Sequence, residues 1–390
     1  MYQMSDNIET MVRVFETPVL DERELKVLAQ IDDLKRALQF QLHEPRRWSG
    51  QLRRMAFARN IQGSNSIEGY EAALDDAAAV ALGEEPLDTN TETRLALEGY
   101  TNAMTFVLQT VMEPPTRVSE DLIKSLHFMM TSYDLSNRPG RWRAGQIFVR
   151  DDRSGDIVYE GVDVERVPLL MGLMIDQMNR NDDVPIVRAA MAHLNLVMIH
   201  PFRDGNGRMA RCLQSLALAA DGVLAPVFMS VEEYLGRNTQ AYYDVLAQVG
   251  RGEWNPQNDA RPWMRFMLTA HLRQATTLQR RVKISERAWV ELERLTEKHG
   301  LPERTINALF DAVFGLRVRR GTYVAILAGS GEDVSDQTAS RDFKALVDVG
   351  LLIAHGEKRG RFYSGSNELI SIRENFMPPK VKDNTDPFVE

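Results

Sequence analysis

The sequence predicts a mainly α-helical bundle with one β-hairpin, followed by a smaller α+β unit of the winged helix-turn-helix type. Three observations carry that prediction. Apolar residues recur every three or four positions through most of the first 270 residues. One stretch, QIFVRDDRSGDIVYEG at 146–161, alternates instead. From Gly321 to Gly365 the order becomes helix, turn, helix, short strand, basic turn and strand.

Taken in order, LKVLAQIDDLKRAL places Leu25, Leu28, Ile31, Leu34 and Leu38 at helical spacing, which predicts a core stripe. Similar patterns cover roughly 92–112 and 121–131, and the Pro114-Pro115 pair between them ends a helix. Ile147 and Val149 alternate, a polar DDRSG cluster follows, and Ile157 and Tyr159 alternate again, which reads as a hairpin. Val187, Met191, Leu194 and Met198 then mark one helix face, and Met209, Leu213 and Leu216 another. An amphipathic segment near 281–299 leads into VSDQTASRDFKALVDVGLL and IAHGEKRGRFYSGS. The tail MPPKVKDNTDPFVE has few apolar residues and is expected to be loosely ordered.

The composition bounds the function. With 390 residues, 44% hydrophobic and 26% charged, the chain is long enough for two or three ordinary globular domains. A net charge of −8 argues against a protein whose main task is to coat nucleic acid, although a local basic patch can still bind it. One cysteine, Cys212, excludes an intramolecular disulfide. The absence of a long apolar run or a secretory-type N-terminus leads to the expectation of a cytoplasmic protein with no membrane contact.

The densest chemistry lies in HPFRDGNGRMAR at 200–211, a loop between two predicted helices. Gly205 and Gly207 permit a tight path with amides turned inward, and the helix that starts there offers unpaired N–H groups, so the loop is suited to an anion. Arg208 and Arg211 are three apart and project from one side of that helix, roughly opposite Met209, Leu213 and Leu216. Asp204 would repel an anion unless a cation lay between them, and Mg²⁺ takes one or two carboxylates plus phosphate oxygens. His200 is placed to accept a proton. Together these describe a nucleotide-transfer site. The segment GNGRMA also fits a loose dinucleotide fingerprint, but a helix precedes it where that fingerprint needs a strand.

Upstream, Ser64 and Glu68 in SNSIEG are four apart and would share a helix face. Asn65 followed by Glu68 also resembles a helix-capping arrangement.

HPFRDGNGRMAR resembles, at every specified position, the Fic signature His-x-Phe-x-Asp/Glu-Gly-Asn-Gly-Arg-x-x-Arg. The likeness extends over roughly 121–260, including GRWR at 140–143, the hairpin, NTQAYYDVL and GEWNP. It implies a Fic-type helical bundle with the hairpin as a flap, and transfer of AMP from ATP onto a Ser, Thr or Tyr hydroxyl of a protein. His200 would be the base, with Phe202 fixing the loop and Asp204 holding Mg²⁺. Gly205, Asn206 and Gly207 would form the anion nest, Arg208 would hold the β-phosphate and Arg211 the γ-phosphate. Ile147 and Val149 would lie on the target-docking flap, and Tyr242 and Tyr243 near the nucleotide base. Ser64, Glu68 and Gly69 resemble the family's inhibitory motif, in which Glu68 would pair with Arg211. In some relatives that glutamate also serves removal of AMP.

The resulting organisation is an N-terminal helical region over 1–120 with an inhibitory helix at about 50–70, and a Fic catalytic domain over 121–270. A helical linker over 271–310, a winged helix over 311–375 and a tail over 376–390 follow. Expected partners are ATP, a target protein and, through Arg341, Lys344, Lys358, Arg359 and Arg361, DNA or a protein; a homodimer is also considered. The alternative functions are a nucleotide-sensing DNA-binding regulator, or the same transfer from another nucleotide.

Overall fold

Helical sequence sets the architecture of the computed structural model, which describes residues 12–43, 47–112, 117–150, 154–180, 182–219, 226–376 and 386–388. The Pro114-Pro115 stop and residues 151–153 of the hairpin turn lie outside the described residues. Helix α1 (Glu22–His43) buries Val27, Ile31 and Leu38, but Leu25 is exposed, contrary to the expected stripe. The reason is electrostatic: buried Glu24 takes an inward position, paired at 2.9 Å with both Arg261 and Arg265.

Helices α2 (Ser49–Ile67), α3 (Leu74–Ala81), α4 (Thr91–Thr110) and α5 (Glu120–Thr131) follow. Asn90 and Ser119 start α4 and α5 by accepting the Thr93 and Leu122 amides at 2.8 and 3.1 Å, satisfying donors that a helix start leaves open. The hairpin pairs β1 (Phe148–Arg150) antiparallel with β2 (Ile157–Glu160), with Val149 opposite Tyr159. Helices α6 (Val167–Asn179), α7 (Pro185–Ile199) and α8 (Asn206–Ala219) come next, and α7 and α8 are buried on nearly every side. They form the centre of the bundle.

Helices α9 (Pro226–Met229), α10 (Glu232–Arg237) and α11 (Thr239–Gly250) lead into α12 (Arg261–Lys298), which runs unbroken through residues 270 and 271. The expected catalytic domain and the expected linker therefore share one helix.

The C-terminal part comprises α13 (Ile306–Val313), α14 (Arg320–Gly329), α15 (Asp336–Asp348), β3 (Leu352–His355), β4 (Phe362–Gly365) and α16 (Asn367–Phe376). Strands β3 and β4 are antiparallel, with Ile353 opposite Ser364, and Val318 exchanges two 2.8 Å backbone bonds with Tyr363. Of the tail, Phe388 is buried: its carbonyl accepts from Arg23 at 3.2 Å and its ring lies beneath the Arg265 guanidinium. Among the described residues no helix is long and apolar enough to cross a membrane.

Candidate active site

Apolar α7 ends at His200, which turns the chain out of the helix in the left-handed conformation with φ 53° and ψ 59°. A non-glycine residue rarely sits there, so its neighbours must hold it. Arg143 does so. Its Nε donates to the His200 carbonyl at 2.9 Å, its backbone N–H to Pro201 at 2.8 Å, and Nη1 and Nη2 to the carbonyls of Gly145 and Val162. One side chain thus ties the loop to the base of the hairpin.

Phe202 is buried and stacks on His127 with ring centroids 3.7 Å apart. His127 Nδ1 accepts the Gly140 N–H at 2.9 Å, so Nε2 carries the proton and donates to the Asp204 carbonyl, also at 2.9 Å. Burial pushes this imidazole down to about 4, which keeps it neutral and its tautomer fixed. Asn206 closes the loop from within: Oδ1 accepts the Phe202 N–H and Nδ2 donates to the Phe202 carbonyl, each at 2.9 Å. Its side chain is therefore committed to shaping the loop, and only its backbone, at the first position of α8, is available to an anion.

Gly205 enters α8 at φ 75°. Arg208 and Arg211 do project together, but both are fully buried, where their spacing opposite the apolar face predicted an open side. Helix α2 and its exit cover them. Arg208 donates to the Tyr133 hydroxyl at 3.1 Å and lies over the Tyr70 ring, while Arg211 reaches the Ser64 hydroxyl at 2.8 Å, the Ser64 carbonyl at 2.9 Å and Glu68 Oε1 at 2.7 Å. Arg208 Nε and Arg211 Nη1 are buried without an acceptor. Buried donors in this condition await a partner, because leaving them unpaired costs about 1–3 kcal/mol each.

Glu68 lies just past the end of α2, so the capping arrangement read from Asn65 and Glu68 is corrected: this is a helix C-terminus. Gly69 at φ 83° donates to the Ser66 carbonyl and Tyr70 to the Asn65 carbonyl, both at 3.1 Å, a Schellman closure that requires the glycine. The closure turns the Glu68 carboxylate onto α8. A Cβ built on Gly207 would lie 2.3 Å from Glu68 Oε1, so only glycine at 207 leaves room for it. Burial pushes the Glu68 carboxyl up, but the Arg211 and Arg208 guanidiniums outweigh that and hold it below the ordinary carboxylate value. It is an anion seated where the loop and helix favour one.

His200 Nδ1 faces the Val197 carbonyl at 3.2 Å, which puts the proton on Nδ1 and leaves the Nε2 lone pair as the acceptor. Burial pushes this imidazole down to about 4, so at neutral pH it is an uncharged base. Asp204 is 39% exposed, with Arg208 Nη2 and Asn137 Nδ2 each at 3.4 Å from Oδ2. Its weakly held carboxylate is a hard oxygen donor of the kind Mg²⁺ takes.

The hairpin is anchored to the same site. Tyr159 donates to the Met198 carbonyl at 2.7 Å, and Glu160 N–H to Gly252 at 2.8 Å. Ile147 and Val149 are half-buried, and the exposed apolar residues are instead Phe148, Ile157 and Val158. Tyr242 and Tyr243 diverge: Tyr242 is buried with its hydroxyl 3.0 Å from His193, whereas Tyr243 is 46% exposed and donates to the Ile67 carbonyl at 3.0 Å. Sequence reasoning missed His127, Tyr70 and Tyr133, and gave Arg143 no role of its own. GRWR contained the only signal for any of them.

A bend gripping an anion at a helix N-terminus, with a neutral histidine at its rim and a carboxylate from another helix seated on it, defines a loop-to-helix anion site in a helical bundle. Residues 117–218 match the model of the Fic/DOC family.

The chain's similarity to known proteins runs further. The chain is 28% identical over 228 residues to protein adenylyltransferase Fic of Nematostella vectensis, covering 54% of this chain and 46% of that protein. It is 27% identical over 277 residues to protein adenylyltransferase fic-1 of Caenorhabditis elegans, covering 68% and 49%. The chain thus spans just under half the length of these relatives. A Fic family protein from Desulfovibrio desulfuricans has the same fold over 90% of this chain and 98% of its own, with a TM-score of 0.57 at 21% identity. Fic-1 from C. elegans superposes over 67% of this chain and 73% of its own, with a TM-score of 0.54 at 24% identity.

Proposed function

We propose that the chain is a protein adenylyltransferase that moves AMP from ATP to a Ser, Thr or Tyr hydroxyl of a target protein and of itself, restrained by Glu68. The observation that carries this reading is the buried Arg208–Arg211 pair with unmet donors at the start of α8, beside a neutral His200. The names of the relatives support the same chemistry.

In the proposed reaction the target hydroxyl oxygen attacks the α-phosphorus and the bond from that phosphorus to the pyrophosphate oxygen breaks. The hydroxyl proton passes to His200 Nε2. The amides of Gly205, Asn206 and Gly207 and the guanidiniums of Arg208 and Arg211 receive the charge that grows on the leaving pyrophosphate. Asp204 would hold Mg²⁺, which when bound neutralises phosphate charge. No cluster of three or more His, Cys, Asp or Glu suited to a metal exists among the described residues, in keeping with an ion whose other ligands are phosphate and water. The free edge of β1 is the proposed docking edge for the target backbone. Of the tyrosine pair, Tyr243 has the exposure that stacking on a base requires.

The restraint is competition for one guanidinium: Glu68 holds the Arg211 face that a γ-phosphate needs. Release of AMP from a modified hydroxyl, with Glu68 aligning water, is the proposed reverse activity. The 311–375 unit is proposed as a winged helix. Its α15 carries Asp336, Asp342 and Asp348, Lys344 pairs with Asp348 and Arg320 with Asp336, which favours a protein-facing unit over a DNA reader. The rival reading, a nucleotide-sensing DNA-binding regulator, predicts that the full chain retards DNA with affinity falling steeply as salt rises.

The test is incubation of the Glu68→Gly variant with each labelled nucleoside triphosphate and Mg²⁺ in a lysate, with modified proteins identified by mass spectrometry. Label from ATP at a hydroxyl side chain is expected. Transfer from UTP or CTP alone would reassign the nucleotide.

A further inference from the structure

Two ends of one helix serve two different parts of the molecule. At its C-terminal end α2 delivers Ser64 and Glu68 to Arg211. Near its N-terminal end Arg54 pairs with Asp311 of α13 at 2.5 Å, with side-chain exposures of 10% and 3%, and Gln51 hydrogen-bonds Asn307 at the start of α13. Between them lies a tight crossing. A Cβ on Gly63 would fall 2.6 Å from the Glu232 carbonyl, and one on Gly236 would fall 2.8 Å from Gly63.

The contacts along α2 act together. The Gly63–Gly236 crossing fixes the spacing of α2 from α10, and Asn60, which donates to the Val227 carbonyl at 2.9 Å, together with the buried Leu52, Met55 and Ile61, resists sliding and rotation about the helix axis on that side. Toward α13 a buried charge pair resists them too, because displacing one partner strands the other in a poorly solvated place. Over the ten residues from Arg54 to Ser64 the unbroken helix spans about 15 Å and transmits displacement as a rigid rod. The neighbouring helix α3 is gripped as well: Arg317, just ahead of α14, pairs with Asp75 and Asp76 of α3 and with Asp88 beyond its end.

From this we infer that Arg54 and Asp311 are positioning residues of the restraint: the C-terminal unit, through this pair, holds α2 in the seat from which Glu68 occupies Arg211. The inference rests on the autoinhibition reading above. Anything that draws α13 from α2 would then release the site, without touching the nucleotide loop.

The experiment uses the full chain with α-labelled ATP and Mg²⁺, and measures label incorporation alongside hydrogen exchange at residues 49–68. Asp311→Ala is expected to raise incorporation roughly fivefold or more, the scale of ordinary coupling between sites, and to speed exchange across α2. Arg54→Lys, which keeps the charge, should stay near wild type. In the Glu68→Gly background Asp311→Ala should add nothing, because its effect runs through Glu68. If Asp311→Ala melts below the assay temperature, Asn307→Ala, which cuts the Gln51 contact, carries the same comparison. Unchanged exchange and incorporation in both variants, with Glu68→Gly active, would overturn the inference, as would an equal gain with and without Glu68. If Glu68→Gly is itself inactive, the autoinhibition reading fails, while faster exchange at 49–68 in Asp311→Ala still upholds the mechanical brace.

Discussion

Arg211 Nη2 donates to Glu68 Oε1 across 2.7 Å, while Nε and the same Nη2 hold the Ser64 hydroxyl and carbonyl. One guanidinium is thereby saturated on the faces that α2 can reach, and its Nη1 stays unpaired. The proposed restraint, built this way, should be graded, because its parts can be removed singly.

Ser64→Ala removes one neutral acceptor and leaves the carboxylate in place. With a net worth of about 0.5–1.5 kcal/mol for such a bond, basal AMP incorporation should rise roughly two- to tenfold, well short of Glu68→Gly. Initial-rate labelling of the two variants side by side checks the order. Ser64→Ala equal to or above Glu68→Gly would contradict it.

The depressed His200 predicts an unusual pH profile. Burial pushes the imidazole down to about 4, so the neutral form that the proposed base requires is present through pH 5–8 and is lost only as pH falls toward 4. In Glu68→Gly, kcat/KM should hold nearly level from pH 8 to 5.5. An acid limb at 6.5, the ordinary histidine value, would show that the imidazole is not held as the structure holds it.

Asn206 makes both of its side-chain bonds to the Phe202 backbone and is expected to act through loop shape. Asn206→Ala in the Glu68→Gly background should lower kcat/KM roughly a hundredfold, the cost of misplacing reacting groups by about an ångström, with secondary structure intact by circular dichroism. Near-normal turnover would mean that the loop keeps its form without this residue.

Glu232 supplies a stability test away from the chemistry. Buried beneath α2 and accepting from Tyr100 at 2.7 Å and Ser215 at 3.2 Å, its carboxyl is pushed by burial up to about 7. A carboxyl whose folded value is raised binds its proton more tightly when folded, so it favours the fold at low pH and loses that contribution as pH rises from about 4.5 to 7. Glu232→Gln should therefore melt close to wild type at pH 5 and above it at pH 8, by on the order of 1–3 kcal/mol. The same gap at both values would place the cause elsewhere.

Much of the site was legible because spacing carries it. His200, Asp204, Gly205, Gly207, Arg208 and Arg211 fall within twelve consecutive residues, and Glu68 lies four residues after Ser64, one position past the end of α2. Helices α4 and α5 were legible from periodicity, whereas Asn90 and Ser119, which start them, were not read from the sequence. What failed required knowledge of the opposite surface. Leu25 is exposed because arginines some 240 positions away claim Glu24. The burial of Arg208 and Arg211 depends on α2 folding over α8, and the loop's main tie, Arg143, acts from a segment whose pattern shows only a turn. Long-range pairings leave no periodic trace.

The most direct test of the central claim is incorporation of label from α-labelled ATP by three forms of this chain: wild type, Glu68→Gly and Glu68→Gly/His200→Ala. Release of a charge-assisted bond of about 1.5–3 kcal/mol predicts roughly ten- to hundredfold more label in Glu68→Gly than in wild type, and its disappearance when His200 is removed. Equal labelling of wild type and Glu68→Gly, or label that survives the loss of His200, would contradict the account.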